Sequence, residues 1–160
     1  MNFENLKMTA LINAFSVFKI PALAFVTPTI LEMSDTRNVV KVRLGMRTRN
    51  HLGVMYFGAL AMGAELSIAL RAIKAIQDSG KKIDFIFKDF QADFLKRADG
   101  HVHFVCDEGA KIAAMVNEAA ASSERLNKTF SGYAYVPSVS EEPVMTYKLT
   151  LSVKKREKKK

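Results

Sequence analysis

From Phe57 to Asp78 the chain has the periodicity of one long helix, and its first half, Phe-Gly-Ala-Leu-Ala-Met-Gly-Ala-Glu-Leu-Ser-Ile-Ala-Leu, has almost no polar face. A helix that is apolar all round must be covered all round. A sheet wrapped around it would provide that cover. The second half gains Arg71, Lys74, Gln77 and Asp78 and turns toward solvent, and Ser79-Gly80 supplies a stop.

The flanking segments supply the sheet. Leu6, Thr9/Ala10, Ile12/Asn13 and Val17 recur at helical spacing, which predicts a helix over 5–18, ended before Pro21. Strands are expected at 24–33 and 39–47, joined by a turn at Ser34–Asn38. The segment 48–56 is a loop. The run 82–96 alternates as a strand, but its phase slips between Phe87 and Phe90, the mark of a bulge. Ala98-Asp99-Gly100 reads as a hairpin turn into a strand at 102–106. An Ala-rich stretch to Ser122 reads as a minor helix, or as a distorted strand with a helical insertion. Strands at 129–136 and 144–153 close the domain. The expected class is α+β: a curved, largely antiparallel sheet of about six strands around one long helix. Such a sheet leaves edges, and self-association would cover them.

A chain of 160 residues makes one domain, residues 1–153, with a basic, frayed tail at 154–160. The net charge of +8 is concentrated there, where six cations against Glu157 leave only +3 for the remainder. No aromatic and basic platform lies behind the tail, so nucleic acid is not an expected partner. The apolar stretch 11–26 is interrupted by Asn13, Ser16, Lys19 and Pro21 and is too short to span a bilayer. No signal peptide is evident, and a cytoplasmic protein without a membrane partner is expected. Cys106 is the single cysteine and reads as a small buried hydrophobe. His101 and His103 lie two apart, but no third ligand is evident, so no metal is expected. No serine-hydrolase elbow, phosphate-binding loop or dinucleotide fingerprint occurs.

One acid stands out. Glu65 sits in the apolar half of the long helix, where a carboxylate is costly unless paired, hydrogen-bonded or protonated. It is either a site for chemistry or an acid satisfied by a neighbouring arginine or by backbone. Ahead of it the loop Asn50-His51-Leu52-Gly53-Val54-Met55-Tyr56 runs into the helix start, where unpaired N–H groups and the positive dipole end lie. Asn50 could orient a water, or simply shape the loop as an Asx turn. Gly53 and Gly58 suit turn geometry and close packing, and His51 faces solvent or supports the loop.

The pattern Asn50…Gly53…Phe57-Gly58…Ala64-Glu65, between two N-terminal strands and a strand-rich second half, resembles the hot-dog-fold acyl-CoA thioesterases of the phenylacetate-degradation type and the neighbouring DUF4442 domains. The resemblance spans about 5–153 in element order and rests at motif level on this stretch. It implies an acyl thioester hydrolase with Glu65 as general base or nucleophile, Asn50 at the active site, and an oxyanion hole at the Phe57 and Gly58 amides. Where the family often has His-Gly-Gly, this chain has Tyr56-Phe57-Gly58. Eight residues separate Phe57 from Glu65, about 12 Å along a helix, so one carbonyl cannot easily meet both within one chain. The resemblance likewise implies a site shared across a homodimer, alone or as a dimer of dimers. No cofactor is implied beyond the coenzyme A of the substrate. Gly53, Met55, Tyr56, Phe87 and Phe90 are candidates to bind the acyl group, the apolar ones among them reading equally as plain core, and Arg47, Arg49, Lys96 and Arg97 are candidates to meet the coenzyme's phosphates. The alternative function is a non-catalytic acyl-CoA or acyl-carrier binding module.

Overall fold

A computed structural model describes residues 3–156. The elements in chain order are α1 (Phe3–Lys19), α2 (Pro21–Val26), β1 (Thr29–Met33), β2 (Asn38–Val42), α3 (Phe57–Ser79), β3 (Ile83–Phe94), β4 (Val102–Cys106), α4 (Gly109–Ala121), β5 (Leu126–Val136) and β6 (Ser140–Lys155). The six strands form one antiparallel sheet in the order β1-β2-β4-β5-β6-β3. α3 is the central helix. Ala64, Ile68 and Ala72 are wholly buried against a core that includes Val40, Phe104, Ala134 and Leu149 of the sheet. Gly63 lets helix and sheet approach, because a Cβ there would lie 2.3 Å from the Phe104 ring. Tyr147 ties the layers together: its hydroxyl donates to the Val105 carbonyl at 3.0 Å and pairs with Ser67 Oγ of α3 at 2.7 Å. Gly80, with φ 62°, caps α3 in the left-handed conformation that glycine adopts without strain.

Three expectations need correction. Residues 24–26 are helical, in α2, and β1 begins only at Thr29. Proline suits a first helical turn, so Pro21 both ends α1 and starts a second helix. The strand expected at 39–47 stops at Val42, and Arg43–Arg47 already belong to the loop, where Thr48 Oγ1 takes the Gly45 N–H and donates to the Arg43 carbonyl. Ala98-Asp99-Gly100 is not a hairpin turn. β3 pairs with β6 at the far edge, so the connection to β4 crosses the end of the sheet. It is pinned there by the Met55 N–H donating to the Ala98 carbonyl at 2.8 Å. Local turn chemistry is the same for a hairpin and a crossover; pairing partners decide between them.

The bulge is where the phase slip places it. Phe87 pairs with Leu151 and Phe90 with Leu149, one residue extra on β3, and Asp89 takes the Thr150 N–H at 3.1 Å. The Ala-rich stretch is helical throughout α4. Of the basic tail, Lys154 and Lys155 lie in β6 and the Arg156 guanidinium pairs with Asp84 at 2.7 Å, so ordered structure runs past Val153. The rest of the tail, 157–160, lies outside the described residues.

α1 lies along the open edge of β1 and covers it with side chains. Asn5 Nδ2 donates to the Leu31 carbonyl (2.6 Å), Thr9 Oγ1 accepts from the Ile30 N–H (2.9 Å), and Asn13 Nδ2 donates to the Pro28 carbonyl (3.0 Å). An edge strand must otherwise leave such groups to water or to another chain. The inward face of α1 is therefore polar. Leu6 and Val17, which helical spacing placed on a buried stripe, are exposed.

Candidate active site

The centre of the site is a long apolar trough with a cavity volume of about 970 Å³. α3 forms its floor, with Gly58, Met62, Glu65, Ala69 and Ile73 recurring at helical spacing. One wall is α1 and α2, through Leu11, Phe15, Ile20 and Leu23; the other is β3, through Phe85, Phe87 and Phe90. The bulge after Phe87 keeps Phe90 on the trough side, where strict alternation would have turned it away. From Gly58 to Gln77 the floor runs nineteen residues, about 28 Å at 1.5 Å per residue.

Glu65 is the single ionisable residue lining this trough among the described residues. It is half-buried, and burial raises its pKa above the ordinary glutamate value. Its carboxylate has no hydrogen-bond or ion-pair partner among the described residues. Arg71, the arginine of the same helix, is taken by Asp35 at 2.9 Å. The reading of Glu65 as an acid satisfied by a neighbouring arginine therefore does not describe this structure. A desolvated, unpaired carboxylate is a stronger base than one in water.

The start of α3 carries open backbone amides. Its N-cap residue is Tyr56, which provides no side-chain cap. The amides of Phe57, Gly58 and Ala59 have no acceptor among the described residues, and helical bonding begins with Leu60 N–H to the Tyr56 carbonyl. Such orphan amides, at the positive end of a 23-residue helix, suit a developing oxyanion. The Tyr56 ring packs on Phe57 with centroids 4.8 Å apart, and a Cβ at position 58 would lie 2.5 Å from it, so glycine is required there.

Of the residues singled out from sequence, Glu65, Gly58, Phe87 and Phe90 share the trough. The others do not line it. Asn50 Oδ1 takes the Leu52 N–H at 2.9 Å, and the Asn50 backbone closes the loop through Val54 and Gly53, so this side chain shapes the loop. Gly53, with φ 79°, occupies the left-handed turn position. Met55 is buried in the core, while Tyr56, Phe57 and His51 are exposed at the loop surface. Lys96 pairs with Glu142, and Arg47 stands over the Phe25 ring at 5.8 Å. Sequence reading missed the whole α1–α2 wall. Its signal was available in Met8, Leu11 and Phe15, spaced at i, i+3 and i+7.

His101 and His103 have different neighbours. His101 Nδ1 accepts the Leu44 N–H at 3.1 Å, and His103 lies edge-on to Tyr135, its pKa lowered by burial and by Lys41. No three His, Cys, Asp or Glu residues come together as a metal site among the described residues. No described helix is long and apolar enough to cross a membrane.

A sheet curled about a central helix, with the acid on that helix and open amides at its head, defines a hot-dog domain. Solved structures share the fold. A protein of unknown function from Chlorobaculum tepidum superposes with a TM-score of 0.80 at 10% identity, covering 95% of this chain and 97% of its own. A Pseudomonas aeruginosa protein described as a probable thioesterase gives 0.71 at 18% identity over 92% and 96%. A thioesterase from Haemophilus influenzae gives 0.68 at 15% identity over 97% and 92%. No curated protein matches. The pattern of the family described as "Domain of unknown function (DUF4442)" matches residues 8–132, and the chain belongs to that family.

Proposed function

We propose that this protein hydrolyses acyl thioesters, with Glu65 as the base and the amides at the head of α3 as the oxyanion hole. The observation that carries the reading is an unpaired, half-buried carboxylate as the one charge in a large apolar trough. The relatives by fold described as thioesterases support the chemistry. Glu65 takes a proton from water, and the water oxygen attacks the thioester carbonyl carbon. The oxyanion is held by the Phe57 and Gly58 N–H groups. Collapse breaks the C–S bond, and the proton passes from Glu65 to the leaving thiolate. Direct attack by the Glu65 carboxylate, followed by hydrolysis of the anhydride, gives the same products.

Gly58 and Glu65 are seven residues apart, about 10 Å along the axis. A second copy facing the trough across a two-fold axis would set the amides of one chain opposite the acid of the other and close the trough. β3 leaves one edge of the sheet unpaired, which is where such a homodimer would form. The substrate is an acyl-CoA with the hydrocarbon along the α3 floor. Glu65 to Gln77 is twelve residues, about 18 Å. A carbon–carbon bond of about 1.52 Å at about 111° advances an extended chain by about 1.25 Å, which leaves room for about fourteen carbons.

Tyr56 favours a second reading, a non-catalytic acyl-CoA or acyl-carrier binding module, because its ring packs beside Gly58 at the amide end. Both readings meet one experiment. Acyl-CoAs of increasing chain length are offered to the wild type and Glu65→Gln, and released thiol and binding are both measured. The hydrolase reading expects a loss of at least about a hundredfold in turnover with binding retained. Hydrolysis unchanged in Glu65→Gln rejects Glu65 as the base; binding without hydrolysis in the wild type establishes the second reading.

A further inference from the structure

α1 is inverted relative to an ordinary surface helix. Its inward face carries Asn5, Thr9, Asn13 and Ser16 around Ile12, while Phe3, Leu6, Leu11, Val17 and Phe18 point outward. Phe18 is 83% exposed and Phe3 76%. On an isolated chain such a face is rarely left bare at this size.

The patch continues beyond α1. Phe25 of α2 is exposed, and Arg47 over its ring joins it to the loop, where Met46 and Leu52 are also exposed. Cations edge the patch: Lys7 and Lys19 on α1, then Arg43, Arg47 and Arg49. Glu4 on α1 is the one acid beside the patch; none occurs between Lys7 and Leu31, nor between Thr36 and Ala64. Exposed aromatic and aliphatic side chains beside lysine and arginine are the composition of a helix that lies in the interface of an anionic bilayer. A second copy fits less well. Paired through this face, two copies would bring one cation-edged patch against another, with Glu4 the one acid beside each to offset the charge. A dimer that closes the trough at β3 covers the trough-lining side of α1 but not Phe3, Leu6, Val17 or Phe18, which do not line the trough.

We infer that the outer face of α1, with Phe25 and the Arg43–Leu52 loop, docks on an anionic lipid surface. This reverses the expectation that no membrane is a partner; docking on a surface needs no spanning helix. The inference does not require hydrolysis. Leu11, Phe15 and Ile20 also wall the trough, so docking would bring that wall near the bilayer, where acyl chains are found.

The test is flotation of the full chain with vesicles of equal parts phosphatidylcholine and phosphatidylglycerol, against phosphatidylcholine alone. The wild type should float with the anionic vesicles and detach as salt is raised. Phe18→Ser combined with Phe3→Ser should bind at least about tenfold more weakly, because each phenylalanine withdrawn from lipid removes one apolar anchor. Arg47→Glu should shift the salt dependence. Glu65→Gln should float like the wild type, which separates docking from catalysis. Unchanged circular dichroism shows that the surface variants fold. Failure of the wild type to float overturns the inference. So does a sedimentation experiment in which Phe18→Ser dissociates an oligomer while lipid binding is absent, since the face would then cover a second copy.

Discussion

Gly63→Ala sets two effects of known size against each other. In an exposed helix interior, alanine is preferred over glycine by about 1 kcal/mol. At this site the new Cβ would stand 2.3, 2.4 and 2.6 Å from Cε2, Cζ and Cδ2 of Phe104. Carbon atoms settle at about 3.5–4.0 Å, so the ring must withdraw by more than about 1 Å. Phe104 has no solvent exposure, and it is hemmed in by its register partners Val40 on β2 and Ala134 on β5. The ring cannot step aside without moving the sheet. Overpacking of this kind costs about 1–3 kcal/mol, and the net effect is a loss of up to about 2 kcal/mol. In a chain of this length that lowers Tm by up to about 8 °C. Urea and thermal melts of Gly63→Ala, Phe104→Leu and the double variant provide the assay. In the Phe104→Leu background, where the ring is gone, Gly63→Ala should be neutral or stabilising, a coupling of at least about 1 kcal/mol. If Gly63→Ala stabilises the wild type, or if the two effects simply add, close helix–sheet contact at Gly63 is not what requires glycine.

Burial raises the Glu65 pKa, so the folded state holds that proton more tightly than the unfolded chain does, and stability falls as pH rises from the unfolded glutamate value through the folded one. Glu65→Gln should therefore be more stable than the wild type at neutral pH, with the gap closing below the ordinary glutamate value; urea melts at both pH values decide, and a loss of stability at neutral pH would reveal a partner for the carboxylate. Tyr147→Phe leaves the Val105 carbonyl and Ser67 Oγ without their buried partner and should cost about 1–2 kcal/mol, non-additively with Ser67→Ala, in denaturant melts. The Cys106 thiol is buried and its pKa is pushed up to about 11, so a thiol reagent at mildly alkaline pH should label it only after unfolding; rapid labelling of the native protein would contradict its place in the core.

Much of this fold was legible in the chain. The apolar girdle of residues 57–70 required cover on every side, and one phase slip at Phe87–Phe90 located the bulge, because burial and the pleat both impose strict periods on side chains. The acid was legible for the same reason: Glu65 breaks an otherwise uniform apolar pattern. Asn50 was legible only as a loop residue, since an Asx turn and a catalytic amide require the same residue in the same loop; its Oδ1 takes the Leu52 N–H at 2.9 Å.

By itself the sequence determined most of the helices and strands, though not residues 24–26 or 43–47, that the central helix is enclosed, and which carboxylate is costly to bury. These follow from local periods and transfer energies, which need no knowledge of neighbours. Only tertiary structure decided that β3 pairs with β6 rather than β4, that Phe87 and Phe90 meet Glu65 in one trough, and that α1 turns its polar side inward. The last of these shows why. Which face of a helix is buried depends on what it packs against, and the edge of β1 offers unpaired backbone groups that Asn5, Thr9 and Asn13 satisfy and leucine cannot.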